Sequence, residues 1–379
     1  MIKAIISGGG TGGHIYPAIS IANALRDSGY ETEILFVGAI GKMEMEKVPE
    51  AGYRIIGLPV AGLQRSLSVS NLALPFKVLK SLRMARKIIR DFRPDVIAGV
   101  GGYASAPMLW EGISAKIPCL IQEQNSYAGL TNKILGKRAD RICVAYDGME
   151  RFFPAGKIRL TGNPIRKNIS PATEDSRRCA RKSFGIPEDG LPVVLIVGGS
   201  LGCGTFNRIM ERHCRRGSTE DGFYIIWQSG RAASARTDAL FKEIGSTGGD
   251  GTRRSGRIIN MDFIKDMDMA FAASDLVVSR AGAGTISELC AAAKPAIFVP
   301  SEVVAEDHQT KNAMSLVEKG AALIVRDGEA DGRLMDTIVS TLADGGLRKR
   351  MGENIYRLAR PRAAEEIAGE ILKLAGAKI

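Results

Sequence analysis

The chain has 379 residues, more than one ordinary core holds, and its size divides into two domains. With 45% hydrophobic and 25% charged residues it is no disordered chain, no apolar stretch reaches bilayer-spanning length, and without a basic-then-apolar leader the expected compartment is the cytoplasm. A net charge of +11 admits nucleic acid, anionic lipid and phosphorylated substrates as partners, while six scattered cysteines with no C-x-x-C pair argue against a disulfide frame or a structural metal.

Short β-branched runs alternate with segments of helical period, the pattern of parallel sheets with crossover helices and hence of an α/β fold. In the first half the expected strands are Lys3 to Ser7, Glu33 to Val37, Asp95 to Val100, Cys119 to Gln122 and Arg141 to Ala145. In the second they are Val193 to Val197, Tyr224 to Gln228, Arg257 to Asn260, Leu276 to Ser279, Ala296 to Pro300 and Ala322 to Val325. The polar, proline-bearing run GNPIRKNISPATEDSRR marks the seam, so the expected domains are 1–166 and 167–379, with a final helix near 355–379 that is a candidate to pack back on the first domain. VVLIVGGSLGCG at 193–204 repeats the opening design of strand, glycine turn and helix, and two such domains would meet ligands at the carboxyl ends of their strands. The stretch STGGDGTRRSG, 246–256, is expected to be a mobile surface loop.

The most informative stretch is ISGGGTGGHIYP, 6–17. Gly8, Gly10 and Gly13 spell G-x-G-x-x-G between a strand and a helix expected from about Ile15, with Pro17 in its first turn and Gly29 at its end. Such a turn lets a phosphate approach the backbone. A dinucleotide site would add an acid at the end of the second strand, where Val37, Gly38 and Ala39 stand instead. His14, one of three histidines, opens the helix, where the dipole favours a neutral imidazole able to act as a base. A second constellation is SRAGAGTISEL, 279–289. Thr285 and Glu288 have capping-box spacing, and Glu288 is equally placed to hold a ribose diol while amides of Ala283 to Ile286 meet a diphosphate. His308, Gln309 and Asn312 of EDHQTKNA are either sugar contacts or an ordinary helix start.

These residues resemble the MurG-type glycosyltransferases of peptidoglycan synthesis. The stretches GGGTGGHIYPA, GVGGYASAP, IQEQNSYAGLTNK, TGNPIR, VGGSLG, DFIKDM, SRAGAGTISEL and DHQTKNA occur in the family's order from residue 5 to about 325. The resemblance implies a GT-B fold, two Rossmann-like domains whose parallel sheets face a central cleft, and inverting transfer of N-acetylglucosamine from UDP-N-acetylglucosamine (UDP-GlcNAc) to the C4 hydroxyl of the muramoyl sugar of lipid I. It implies a donor site in the second domain: Ser200 and its turn at the diphosphate, the Ile264 backbone at the uracil, Ala283, Gly284, Thr285, Ile286 and Ser287 at the phosphates, Glu288 at the ribose, and Gln309 with Asn312 at the sugar. Thr11, Gly12, Gly13, Asn125 and Arg166 would complete it from the first domain. Gly8, Gly9, Gly10, Gly101, Gly102, Tyr103 and Ser105 would receive the acceptor's diphosphate, and His14 would be the general base. No cofactor or metal is required, although a divalent ion is compatible with the chemistry. Cys203 and Gly204 after GGSLG, and Arg231, Ala232 and Ala233 after the QSG turn, depart from the family's usual alanine, basic and aromatic residues.

FKVLKSLRMARKIIRDFRP, 76–94, carries seven basic residues against one acid, among them Lys77, Lys80, Arg83 and Lys87, interleaved with apolar residues at helical spacing; LSVSNLALP precedes it. By periodicity it is a domain helix with a solvated basic face. A lipid-linked acceptor makes it the expected dock on the anionic cytoplasmic face of the inner membrane, held peripherally. UDP-GlcNAc, lipid I and that surface are the expected partners, with other cell-wall synthesis proteins as further candidates. No motif supports nucleic acid.

Overall fold

The computed structural model describes residues 1–60, 74–199, 201–217, 222–249, 251–302 and 307–377. The chain divides into two compact units, 1–166 with 360–379, and 167–359.

The first unit runs β1 (Ile2–Ser7), α1 (Gly12–Arg26), β2 (Thr32–Ala39), α2 (Glu44–Glu50), β3 (Arg54–Leu58), α3 (Leu74–Phe92), β4 (Val96–Gly99), α4 (Ser105–Ser114), β5 (Cys119–Glu123), α5 (Leu130–Gly136), β6 (Arg141–Val144) and β7 (Ile158–Leu160). Its sheet has the order β3-β2-β1-β4-β5-β6-β7 and every pairing is parallel. The strand order reverses between β1 and β4, where Ser7 pairs with Gly99, so the loops after these strands form the crevice that doubly wound sheets use for ligands. β1, β4 and β5 are buried on both faces, which is why they read as continuous apolar runs.

α1 forms because Ile15, Ala18, Ile21, Ala22 and Leu25 line one buried face. It begins at Gly12, three residues before the expected start, so Pro17 lies inside the helix and His14 within its first turn.

The second unit runs α6 (Glu174–Ser183), β8 (Val193–Val197), α7 (Gly204–Arg215), β9 (Tyr224–Gln228), α8 (Ser234–Glu243), β10 (Thr247–Gly249), β11 (Thr252–Ser255), β12 (Ile258–Met261), α9 (Met267–Ala273), β13 (Leu276–Ser279), α10 (Ala283–Ala291), β14 (Ala296–Phe298), α11 (His308–Val317), β15 (Ala322–Ile324), α12 (Ala330–Ala343) and α13 (Gly345–Arg357). Its sheet order is β10-β11-β12-β9-β8-β13-β14-β15, parallel from β12 to β15. The expected loop at 246–256 is instead the antiparallel hairpin β10–β11, extended onto β12. Arg253 on β11 is 4% exposed and meets Asp238 at 2.5 Å and Asp262 at 2.8 Å, which fixes the edge of the sheet.

After α13 the chain re-enters the first unit as α14 (Ala363–Leu374), which packs along α1. Ile367 and Ile371 are wholly buried, each contributing about 1.5–3 kcal/mol by leaving water. Glu370 approaches Arg141 of β6 at 2.8 Å as an ion contact outside hydrogen-bond alignment.

Candidate active site

In the first unit, the N–H groups of Gly8, Gly9 and Gly10, expected at the acceptor diphosphate, are spent inside the protein. They donate to Val37 O at 3.2 Å, to Gly101 O at 3.3 Å, and to both Glu44 carboxylate oxygens at 3.1 Å. The first N–H groups of α1, those of Gly12 and Gly13, have no partner among the described residues, as helix geometry requires. The anion-attracting end of this loop is therefore its helix start.

His14 stands on that first turn with Nδ1 3.2 Å from Thr11 Oγ1. The loop after β4 closes on its ring: a Cβ on Gly101 would lie 2.9 Å from His14 Nε2. Tyr103, 58% exposed, lies at the tip of that loop, whereas Ser105 is fully buried and donates its hydroxyl to Gly102 O at 2.8 Å. Ser105 thus braces the turn that carries Gly101, Gly102 and Tyr103.

Beneath these loops lies a buried amide network that the sequence did not announce. Gln122 donates to Asn163 at 2.9 Å, Asn163 to Gln124 O at 3.0 Å, and Gln124 to Val100 O at 2.7 Å. Glu123, 2% exposed, gathers N–H groups of Asn125, Gly129 and the Asn132 side chain at 2.8–3.1 Å. Burial pushes its carboxyl up against the pull of those bonds. The Asn125 amide leans on the same carboxylate at 3.4 Å, and Arg166, exposed, ends the unit.

In the second unit the donor-side expectations divide. α10 starts at Ala283 with Gly282 as its cap, so Thr285 is already inside the helix and the capping-box reading of Thr285 and Glu288 fails. Ile286 is buried and its N–H bonds to Gly282 O at 2.9 Å. That leaves Ala283, Gly284 and Thr285 as the open amides at the helix start, with no partner among the described residues. Ser287 turns back to Ala283 O at 3.0 Å, and Glu288 is half-buried one turn further on.

Asn312 is 0% exposed and donates to Ala281 O at 3.5 Å, which ties it to the residue just before the glycine turn. Gln309 uses its carbonyl to accept from Ser301 N–H at 2.9 Å, which leaves its NH₂ as the end able to donate to a ligand. Of the Ile264 backbone, expected at the uracil, the N–H is held by Gln228 Oε1 at 3.2 Å while Gln228 Nε2 donates to Gly199 O at 2.7 Å. Gln228, 2% exposed, thereby ties two site loops together. Ser200 lies outside the described residues.

α3 buries Ala85, Ile88 and Ile89 and exposes Lys77, Lys80, Arg83 and Lys87, while Arg86 is paired with Glu111 at 2.9 Å. Beside it opens a groove of about 440 Å³ lined by Val78, Leu82, Tyr103, Trp110 and Ile134. Phe76, 76% exposed, stands at the start of the same helix. LSVSNLA of the preceding stretch lies outside the described residues. Among the described residues no helix is long and apolar enough to cross a membrane.

Two Rossmann-like units in series, each with an open helix start after a glycine turn, have the architecture of the GT-B fold. The chain belongs to glycosyltransferase family 28, whose N-terminal domain matches residues 4–144 and whose C-terminal domain matches residues 193–367. It is 50% identical to the UDP-N-acetylglucosamine--N-acetylmuramyl-(pentapeptide) pyrophosphoryl-undecaprenol N-acetylglucosamine transferase of Bacteroides thetaiotaomicron over 100% of this chain and 99% of that one. The enzyme of the same name from Porphyromonas gingivalis W83 is 49% identical over 98% of this chain and 96% of its own. Among solved structures, Acinetobacter baumannii MurG superposes with a TM-score of 0.78 at 28% identity, covering 98% of this chain and 100% of that one.

Proposed function

We propose that the chain moves N-acetylglucosamine from UDP-GlcNAc to the C4 hydroxyl of the N-acetylmuramyl sugar of undecaprenyl-pyrophosphoryl-MurNAc-pentapeptide, lipid I, forming lipid II with inversion. The observation that carries this reading is the 50% identity to a transferase of that name along the whole of both chains.

The acceptor oxygen attacks the anomeric carbon, the bond from that carbon to the diphosphate oxygen breaks, and its electron pair leaves with UDP. The hydroxyl proton passes to His14, which the Thr11 hydroxyl orients through Nδ1 and which contributes about 10²- to 10⁴-fold as a general base. The departing diphosphate gains negative charge, and the N–H groups of Ala283, Gly284 and Thr285 at the positive end of α10 offset it. Glu288 takes the ribose hydroxyls, the Gln309 NH₂ a sugar oxygen, and the Ile264 carbonyl a uracil donor. Asn125 and Arg166 add polar and cationic contacts to the donor, and the Gly12 and Gly13 amides with the Gly101–Tyr103 turn receive the acceptor's diphosphate. These roles need no cofactor. The exposed bases of α3 and the adjoining apolar groove support peripheral docking on the anionic cytoplasmic face of the plasma membrane, where the polyprenyl acceptor resides.

The test is transfer of labelled N-acetylglucosamine to a lipid I analogue in vesicles, with and without EDTA. Wild type should form product in both, and His14→Ala should lose about 100-fold or more in kcat while still binding UDP. A folded, UDP-binding wild type that yields no product would refute the assignment. Dependence on a divalent ion would correct the cofactor reading alone.

A further inference from the structure

We infer that Glu44 is a positioning residue for His14, a role that rests on the reaction proposed above. β2 ends in Gly38 and Ala39 without the acid of a dinucleotide site, but the chain supplies a carboxylate five residues later, at the start of α2. Glu44 is 1% exposed and its side chain enters beneath the loop between β1 and α1. The space it fills exists because two neighbours are glycines. A Cβ on Gly9 would lie 2.0 Å from Glu44 Oε1, and a Cβ on Gly38 would lie 2.5 Å from Glu44 Cγ.

A buried carboxylate is tolerated only where donors replace water. Here Oε1 accepts from Gly10 N–H at 3.1 Å and from Ala39 N–H at 2.9 Å, and Oε2 accepts from Gly10 N–H at 3.1 Å. Gly10 is otherwise unrestrained, with φ +91 and no atom within 4 Å of where its Cβ would be. The next residue, Thr11, sets the histidine: its carbonyl accepts from His14 N–H at 3.1 Å and its hydroxyl lies 3.2 Å from Nδ1. One peptide unit therefore separates the Glu44 anchor from the group that orients the imidazole. The same bond occupies Gly10 N–H, which takes that amide out of anion binding and separates this loop from a dinucleotide cradle.

The experiment compares Glu44→Ala, Glu44→Gln, Gly38→Ala and Gly38→Ala/Glu44→Ala in full-length protein, with folding checked by circular dichroism. Glu44→Ala should lower kcat by about 100-fold, the scale of a misplaced reacting group, with the KM for UDP-GlcNAc unchanged. Glu44→Gln keeps Oε1 and should recover most of that loss. Gly38→Ala, by expelling the side chain from the opposite side, should reproduce the Glu44→Ala defect and add nothing to it in the double variant. Amide hydrogen exchange in residues 8–14 should quicken in Glu44→Ala and not in Glu44→Gln. Folded Glu44→Ala with kcat within about threefold of wild type, or a donor KM that shifts along with kcat, would overturn the assignment. If wild type itself makes no product the reaction is wrong, while the exchange comparison still reports on the Glu44 anchor.

Discussion

Gly102 lies so close to the carbonyl oxygen of Gly9 that a Cβ there would sit 2.1 Å from it. This contact joins the loop after β1 to the loop after β4, across the point where the strand order reverses. Gly102 also has φ +80, so alanine meets both backbone strain and a backbone clash that no side-chain rotation relieves. Gly102→Ala is expected to cost about 2–4 kcal/mol in urea unfolding, and transfer activity should fall beyond what the loss of folded protein explains. Gly10→Ala is the control, with a comparable φ but open space around it. It should cost only about 1 kcal/mol, the strain alone. Equal costs for the two would show that the loop-to-loop contact is unimportant.

On the donor side, the failure of the capping-box reading makes Glu288 testable without damage to the fold. Since α10 is capped at Gly282, Glu288→Ala should change urea stability by less than about 0.5 kcal/mol, whereas loss of a true capping residue costs about 1 kcal/mol. Losing a charged hydrogen-bond acceptor should raise the KM for UDP-GlcNAc about 10- to 100-fold. Gly284→Ala is a sharper probe, because a Cβ there meets nothing within 4 Å. It should be stable yet bind UDP more weakly, since the methyl group would intrude where a phosphate approaches the amides. Unchanged UDP affinity in a titration of both variants would move the diphosphate elsewhere.

Much of this architecture was legible in the sequence because β1, β4, β5, β8 and β13 are buried on both faces and spell it in unbroken apolar runs. What escaped depends on distant partners. β7 is a three-residue edge strand, too short for any period to show. Arg253 looks like solvated charge in a glycine-rich stretch, and its burial follows only from Asp238 and Asp262, which other segments bring to it. The same holds at the site. Glu44 reads as an ordinary acid at a helix start until Gly9 and Gly38 are seen to open room for it, and the burial of Asn312 against Ala281 O and of Ser105 against Gly102 O follows from the packing around them, which no local pattern spells. His14 was legible because strand, glycine turn and helix are all local, although Pro17 set the expected helix start too late.

Gly204, one of the departures from the family's usual residues, can be judged sterically. It is the first residue of α7, and a Cβ there meets no atom within 4 Å. Its φ is not in the left-handed region, so alanine fits without strain. Gly204→Ala should stabilise the protein by about 0.4–1 kcal/mol through the unfolded chain, visible as a raised urea midpoint. A loss of stability would mean that the position is confined by something other than the space around it.

Lys294 gives the second unit a pH dependence. It donates to Ser274 O at 2.8 Å, and burial pulls its ammonium down from 10.5 to about 8, opposed by Asp275 and aided by Arg177 and Arg181. A depressed lysine pKa means that between about 8 and 10.5 the unfolded chain binds a proton that the native protein has released. Stability attributable to this group therefore rises with pH across that window, and below it the cost of the buried cation is constant. The wild-type urea stability should gain on that of Lys294→Met by about 1–3 kcal/mol between pH 7 and pH 10. A difference that stays flat over that range would show that Lys294 is not held as an uncomfortable cation.

Membrane docking on α3 has an electrostatic part and an apolar part, and the two respond to different perturbations. Lys80, Arg83 and Lys87 are exposed and, among the described residues, carry none of the pairing that ties Arg86 to Glu111, so reversing them leaves the described ion pairs intact. Each basic group near an anionic surface contributes about 1 kcal/mol, so Lys80→Glu/Arg83→Glu/Lys87→Glu should weaken sedimentation with phosphatidylglycerol vesicles by at least about 100-fold. Raising salt should mimic that loss in wild type, because screened charges lose their reach. Ile134→Asp, in the groove wall and 54% exposed, should weaken binding to neutral vesicles as well, in a way that salt does not mimic. UDP binding should be unaffected in both variants, since neither Ile134 nor the three basic residues is among those assigned to the donor. If sedimentation at low salt is the same for wild type and the charge-reversed protein, α3 is a solvated domain helix and the dock lies elsewhere.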